Sequence, residues 1–148
     1  MATRSTHPNQ QSANAVGYAG LLPFAACAAL SWVQAWHELA LQAGIAYGAV
    51  ILSFVGAVHW GAVIVDRPLQ GRRLWLASVP ALLGWLALLL TPLHGISLLI
   101  AAFAGWWLLE RQWHWPYWYR ALRTRLSISV ITLLLITQSS LWLELSGA

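Results

Sequence analysis

The chain has 148 residues, 59% of them hydrophobic and 8% charged, with a mean hydropathy of +0.64. A soluble domain carries about 25% charged residues, so this chain lacks the polar surface to cover its own core in water. Its formal charge of +4 comes from eight arginines and no lysine; in so apolar a chain these read as topology signals rather than a nucleic-acid footprint, and nucleic acid is not an expected partner.

Residues 1–14 are polar, with Arg4 and no cleavage site before a short apolar core. They read as a disordered cytoplasmic tail, with a short mitochondrial transit segment as the alternative. Five apolar runs follow, at about 15–36, 40–65, 74–91, 93–109 and 126–145. Each is near the roughly 20 residues that cross a hydrocarbon core of about 30 Å as a helix. The runs are long, continuous and rich in Leu and Ala, without a period of two, which argues against strands. The expected fold class is all-α, a polytopic bundle of five transmembrane helices.

The first run carries Pro23 and the only cysteine, Cys27, so no intrachain disulfide exists. The second contains the most informative stretch, residues 47–65, an uncharged run with His59 deep inside it. A polar ring in hydrocarbon is costly, and an intramembrane ionisable residue is a functional-site hypothesis by default. Gly48, Ser53, Gly56 and Gly61 are small enough to admit a second helix backbone. Asp66, Arg67 and Pro68 close the run. The third run holds Pro80, and 91–95 is a tight turn that makes the third and fourth spans antiparallel neighbours. Prolines kink membrane helices, and a neighbour must satisfy the carbonyl they free. Between spans four and five, residues 110–120 hold Trp113, Trp115, Trp118, Tyr117, Tyr119, Arg111 and Arg120. This segment, with Arg123 and Arg125, reads as an interfacial anchor on anionic headgroups or as a partner-docking surface. Thr132, Thr137, Gln138, Ser139 and Ser140 in the last run are expected to bond across helices.

All eight arginines fall in the tail or in the connections after spans two and four, and none falls on the other side. By the positive-inside rule the N-terminus is cytoplasmic and the C-terminus outside, in a bacterial inner membrane or, alternatively, in a mitochondrial inner membrane facing the matrix. Trp32, Trp36 and Trp142 mark the outer boundary, and Trp60, Trp75, Trp106 and Trp107 the inner one.

His59 has several readings: an imidazole bonded to a carbonyl freed by Pro23 or Pro80, the polar contact of a small ligand with Trp60 as wall, or a proton-transfer group. Bis-histidine haem needs a second imidazole at the same depth, and His7, His37, His94 and His114 all lie elsewhere. His37, Glu38 and His94 share the outer surface without a metal-ligand spacing. No Asp, Glu, Lys or Arg is placed at a midplane, which counts against ion-coupled transport. Phosphate loops, H-E-x-x-H, G-x-S-x-G and CxxC are absent. No cofactor, metal or catalytic residue is expected.

Residues 47–54, then Gly56, His59, Trp60 and Gly61, resemble the signature of domain-of-unknown-function family 3429, as do residues 19–24, Val79 with Pro80, and Trp118 and Tyr119 with Leu122 and Arg123. The resemblance spans about 17–143. In the family a second glycine often follows Gly56, where this chain has Ala57, which loosens the case for very tight helix contact. The resemblance implies a small multi-span inner-membrane protein, from a group that includes bacterial members and a mitochondrial relative, and it implies no activity. The leading expectation is a non-enzymatic accessory or assembly subunit packed against a larger membrane complex. The rival is a membrane site for a quinone, lipid or other apolar ligand around His59, with Trp60, Ser53, Gly56 and Gly61 beside it.

Overall fold

The computed structural model describes residues 8–65, 71–113 and 115–147. All regular structure among them is helical: α1 (Pro8–Ala19), α2 (Leu22–Leu30), α3 (His37–Val65, entered through a short 3-10 turn at Gln34–Trp36), α4 (Gly71–Leu89), α5 (Pro92–Glu110) and α6 (Tyr117–Leu145). Five segments are long and apolar enough to cross a membrane: Gln10–Leu30, Gln34–Val65, Gly71–Leu89, Pro92–Glu110 and Tyr117–Glu144. Large apolar side chains such as Val50, Phe54, Trp75, Leu82, Trp85 and Leu135 stand exposed on the outside of the bundle, as lipid-facing positions do.

The first span starts earlier than expected and is broken. Residues 8–14 lie in α1 rather than in a disordered tail; residues 1–7 are outside the described residues. The span then stops near Leu30 instead of 36, because Ser31 to Val33 turn the chain back toward α3. The break at Gly20 and Leu21 follows from Pro23, which has no N–H to offer the Ala19 carbonyl. The chain tightens there, with Leu21 N–H donating to Tyr18 O at 3.0 Å, and the Tyr47 hydroxyl donates across to Gly20 O at 3.0 Å. A neighbouring helix therefore does serve the proline break, but through Tyr47 and not His59. Tyr47→Phe removes that donor and is expected to cost about 1 kcal/mol, measurable as a lower midpoint in mixed-micelle unfolding.

α2, α3, α5 and α6 close a ring: α2 packs on α3, α3 on α5, α5 on α6 and α6 on α2. At its centre Phe24 meets Tyr47 at 4.9 Å and Phe103 at 6.4 Å between ring centroids, both edge to face, above a core of Leu52, Ile96, Leu99 and Leu134. α4 lies outside the ring against α3 and α5. Small residues bring it that close. A Cβ at Gly56 would sit 2.5 Å from Ala77 O, one at Gly84 2.9 Å from Ala49 O, and one at Gly95 2.6 Å from Ala87 O. Ala57 was expected to loosen the helix contact, but it is exposed, and the approach at Gly56 is close without a second glycine.

The ends of the helices sort by charge. Arg72 and Arg73 open α4, Arg111 follows α5, and Arg120, Arg123 and Arg125 lie in the first turns of α6. At the opposite end, His37 Nδ1–H donates to Ser31 O and its Nε2 lies 2.9 Å from Glu144 Oε2, tying the start of α3 to the end of α6. His94 pairs with Thr91 at 2.7 Å. Among the described residues no three His, Cys, Asp or Glu side chains gather into a metal-binding group.

Candidate functional site at the arginine-rich end

His59 sits on the inward face of α3 with no exposed surface. Its Nδ1–H donates to Val55 O, one turn back on the same helix, at 3.0 Å. A carbonyl only accepts, so Nδ1 must carry the proton, and Nε2 is left to face α5. There it meets Glu110 Oε1 at 3.4 Å, longer than an ordinary N–H to O bond and so an electrostatic contact first. Three indoles enclose the imidazole edge to face: Trp106 at 5.1 Å, Trp113 at 4.7 Å and Trp115 at 5.4 Å between centroids.

Glu110, the last residue of α5, is 5% exposed. Its second oxygen, Oε2, accepts from Arg123 Nε on α6 at 2.8 Å. A carboxylate taken out of water needs such a partner, since the desolvation cost of a lone buried charge is several kcal/mol. His59, Glu110 and Arg123 thus join three helices in one polar cluster at the arginine-rich end of the bundle. Around it, Trp106 Nε1, Trp115 Nε1, Arg123 Nη2 and Ser127 Oγ are buried without a hydrogen bond among the described residues.

The structure separates residues that the sequence grouped. Trp60, expected as the wall beside His59, turns outward, is 42% exposed and donates to Ser78 Oγ at 3.1 Å. Neighbouring residues on a helix point about 100° apart, so His59 and Trp60 cannot both face the core. Ser53 bonds back to Ala49 O at 2.8 Å and does not reach the imidazole. Gly56 is a helix contact, packed on Ala77 and Pro80, whereas a Cβ at Gly61 would meet nothing within 4 Å.

The aromatic segment divides as well. Trp113 and Trp115 turn in to His59, stacked on each other at 6.1 Å and 6°. Tyr119 packs on Trp115 at 5.0 Å. Arg123, expected at the headgroups, is the partner of Glu110, and Trp106, expected at the boundary, is 7% exposed against His59. Trp118 and Arg120 remain exposed. Glu110 is the residue that sequence reasoning missed. Its signal is its spacing, four residues after Trp106 and so on the same face of α5.

Beyond the tryptophan pair lies an open cavity of about 740 Å³. One wall is the stripe Val58, Gly61, Ala62 and Val65 on α3, at the i, i+3, i+4, i+7 spacing of a single helix face. Facing it are Arg73 from α4, then Gln112, Trp113, Trp115 and Pro116 from the α5–α6 connection. The Arg73 guanidinium lies 5.1 Å from the Trp113 ring, a cation–π contact that holds it over the cavity. His59 does not line this space; the Trp113 and Trp115 rings stand in front of it. The arrangement is a greasy groove with a cationic, hydrogen-bond-donating rim, backed by an aromatic wall that the buried His59, Glu110 and Arg123 support from behind.

Comparison with known proteins gives a consistent answer. Transmembrane protein 69 of Xenopus tropicalis is 35% identical over 126 residues, covering 78% of this chain and 49% of that protein. Transmembrane protein 69 of Mus musculus is 33% identical over 116 residues, covering 71% of this chain and 46% of that protein. The chain spans about half the length of these curated relatives. No solved structure matches it. The model of the protein family of unknown function DUF3429 matches residues 9–139, nearly all of the five-span bundle, and the chain is a membrane protein of that family.

Proposed function

We propose that this chain is a non-enzymatic membrane binding protein whose cavity at the arginine-rich end holds an apolar molecule by its polar end. The observation that carries this reading is the cavity itself, with an aliphatic stripe on one side and Arg73, Gln112 and Trp115 on the other. Small-molecule sites have this character: about 300–1,000 Å³, mostly apolar walls and a few placed polar groups. His59 then acts as a positioning residue that braces the tryptophan wall, rather than as the group that touches the ligand. In this reading the arginine-bearing end faces the cytoplasm or matrix. A reporter fused after Ala148 is expected to be active only on the opposite side.

The accessory-subunit reading loses two of its supports. Gly48, Gly56, Gly84 and Gly95 meet other residues of this chain, and Trp113 and Trp115 turn inward. What still favours it is the exposed start of α6, where Tyr117 is 86% and Trp118 39% exposed beside Arg120.

Gly61 gives the test. Its open position lets a large side chain enter the cavity without disturbing helix packing. Gly61→Trp is expected to keep the thermal stability of the wild-type protein while bound small molecules, read by native mass spectrometry after gentle purification, fall by about tenfold, the effect of roughly 1.4 kcal/mol. An unchanged ligand content in a folded Gly61→Trp protein overturns the reading, and stoichiometric co-purifying subunits with an empty cavity favour its rival.

A further inference from the structure

Resting on the cavity reading above, we infer that the polar end of the ligand is a phosphate ester, and that the site takes the headgroup of an anionic phospholipid. The rim supplies donors. Arg73 offers a guanidinium with no carboxylate partner among the described residues, and it lies against the face of Trp113. Trp115 adds ring surface to the cavity, while its Nε1 is buried away from that space. Gln112 adds an amide. A guanidinium donates and cannot accept, so the molecule that satisfies it must bring acceptors.

The local backbone favours negative charge as well. Pro116 lines the cavity and is the N-cap of α6, which has no side-chain cap and no acidic residue in its first turn. The first N–H groups of a 29-residue helix are thereby left for an outside acceptor at the positive end of its dipole. A planar guanidinium beside a helix N-terminus is a phosphate-binding arrangement. Arg111, by contrast, lies over Trp107 at 5.4 Å and does not line the cavity.

The lipid, rather than free phosphate, follows from the opposite wall. Val65, Ala62 and Val58 run along one face of α3 from its end at the rim back toward the bundle interior. A free oxyanion gains nothing from that stripe, whereas a diacyl phosphate lays its glycerol end and first methylenes against it. The volume of about 740 Å³ fits a headgroup and the start of the chains, with the remainder left in the bilayer.

The experiment uses the full chain in detergent micelles doped with equal phosphatidylglycerol and phosphatidylcholine, read by native mass spectrometry. Both lipids carry the phosphate, but the choline cation of phosphatidylcholine is repelled by Arg73 and by the positive end of α6, so wild-type protein is expected to retain phosphatidylglycerol about tenfold over phosphatidylcholine. Arg73→Gln, at an exposed position whose contact with the Trp113 face is a surface cation–π pair, should bring the ratio near one with a melting curve close to that of the wild type. Arg72→Gln, which does not line the cavity, should leave the ratio intact. Gln112→Leu should lower it by a smaller factor. Equal losses in the Arg72 and Arg73 variants would mean a general surface-charge effect and overturn the site. Displacement of the lipid by millimolar inorganic phosphate would overturn the lipid assignment in favour of a free oxyanion. A neutral occupant that Gly61→Trp expels, or no lipid preference in a protein whose cavity is filled, would overturn the anionic headgroup and leave the proposed function standing. An empty cavity in every preparation, unaffected by Gly61→Trp, would remove both.

Discussion

Glu110→Ala is expected to cost about 3–5 kcal/mol, the penalty of breaking a buried ion pair by deleting one partner. Arg123 keeps its charge but loses its 2.8 Å acceptor, and the imidazole of His59 loses the carboxylate that lies beside it among the described residues. Arg123 lies close to the membrane end of α6 and can turn part of its length toward the interface, which places the result toward the lower end of that range. The matched replacement Glu110→Leu with Arg123→Met removes both charges together and should recover most of the loss, because a buried pair is worth little against apolar side chains of similar size. A double-mutant cycle by mixed-micelle unfolding measures the coupling between the two positions. If Glu110→Leu and Arg123→Met prove additive, the pair does not hold α5 to α6. Because the same cluster backs Trp113 and Trp115, the Glu110→Ala protein should also show red-shifted tryptophan emission from a loosened wall, a readout that simple loss of helix packing elsewhere would not produce.

The second large effect is expected at Gly56. A methyl group there would stand 2.5 Å from Ala77 O and 3.3 Å from Pro80 Cγ, and neither atom belongs to a flexible side chain that could swing away. Gly56→Ala should therefore force α4 off α3, at about 1–3 kcal/mol, the usual cost of overpacking. Gly61→Ala, five residues on, meets open space. There the substitution should be neutral or slightly stabilising, since alanine is the better helix former by about 1 kcal/mol. The two glycines look alike in the sequence, and equal melting curves for the two variants would contradict the packing described here.

His59 shows how far a linear reading reaches. Its burial is legible because an imidazole in a 19-residue uncharged run has nowhere polar to go. Its partners are not legible. Glu110 follows an apolar run and precedes Arg111, so a hydropathy reading ends the fourth span one residue before it and places its charge in a loop. The three arginines at 120, 123 and 125 likewise push the expected start of the last span to 126. In the structure α6 begins at Tyr117, nine residues earlier, because Arg123 is neutralised from α5 and need not stay in water. That neutralisation is a contact between residues thirteen apart, set by how α5 and α6 pack, and no periodicity within either helix encodes it.

The amino-acid sequence by itself determined five membrane-crossing segments and the gathering of the arginines at one end, because hydropathy and charge act along the chain, residue by residue, whatever the helices pack against. Which face of each helix turns inward is a different matter. The tertiary structure decided that Trp60 leaves the core while Trp106, Trp113 and Trp115 enter it, that Gly56 is a contact and Gly61 a cavity wall, and that Glu110 is buried. These outcomes depend on how helices distant in sequence fit together. In a bilayer an outward apolar residue is as well solvated as an inward one, so hydrophobicity, the signal that orients helices in water, carries no such instruction here.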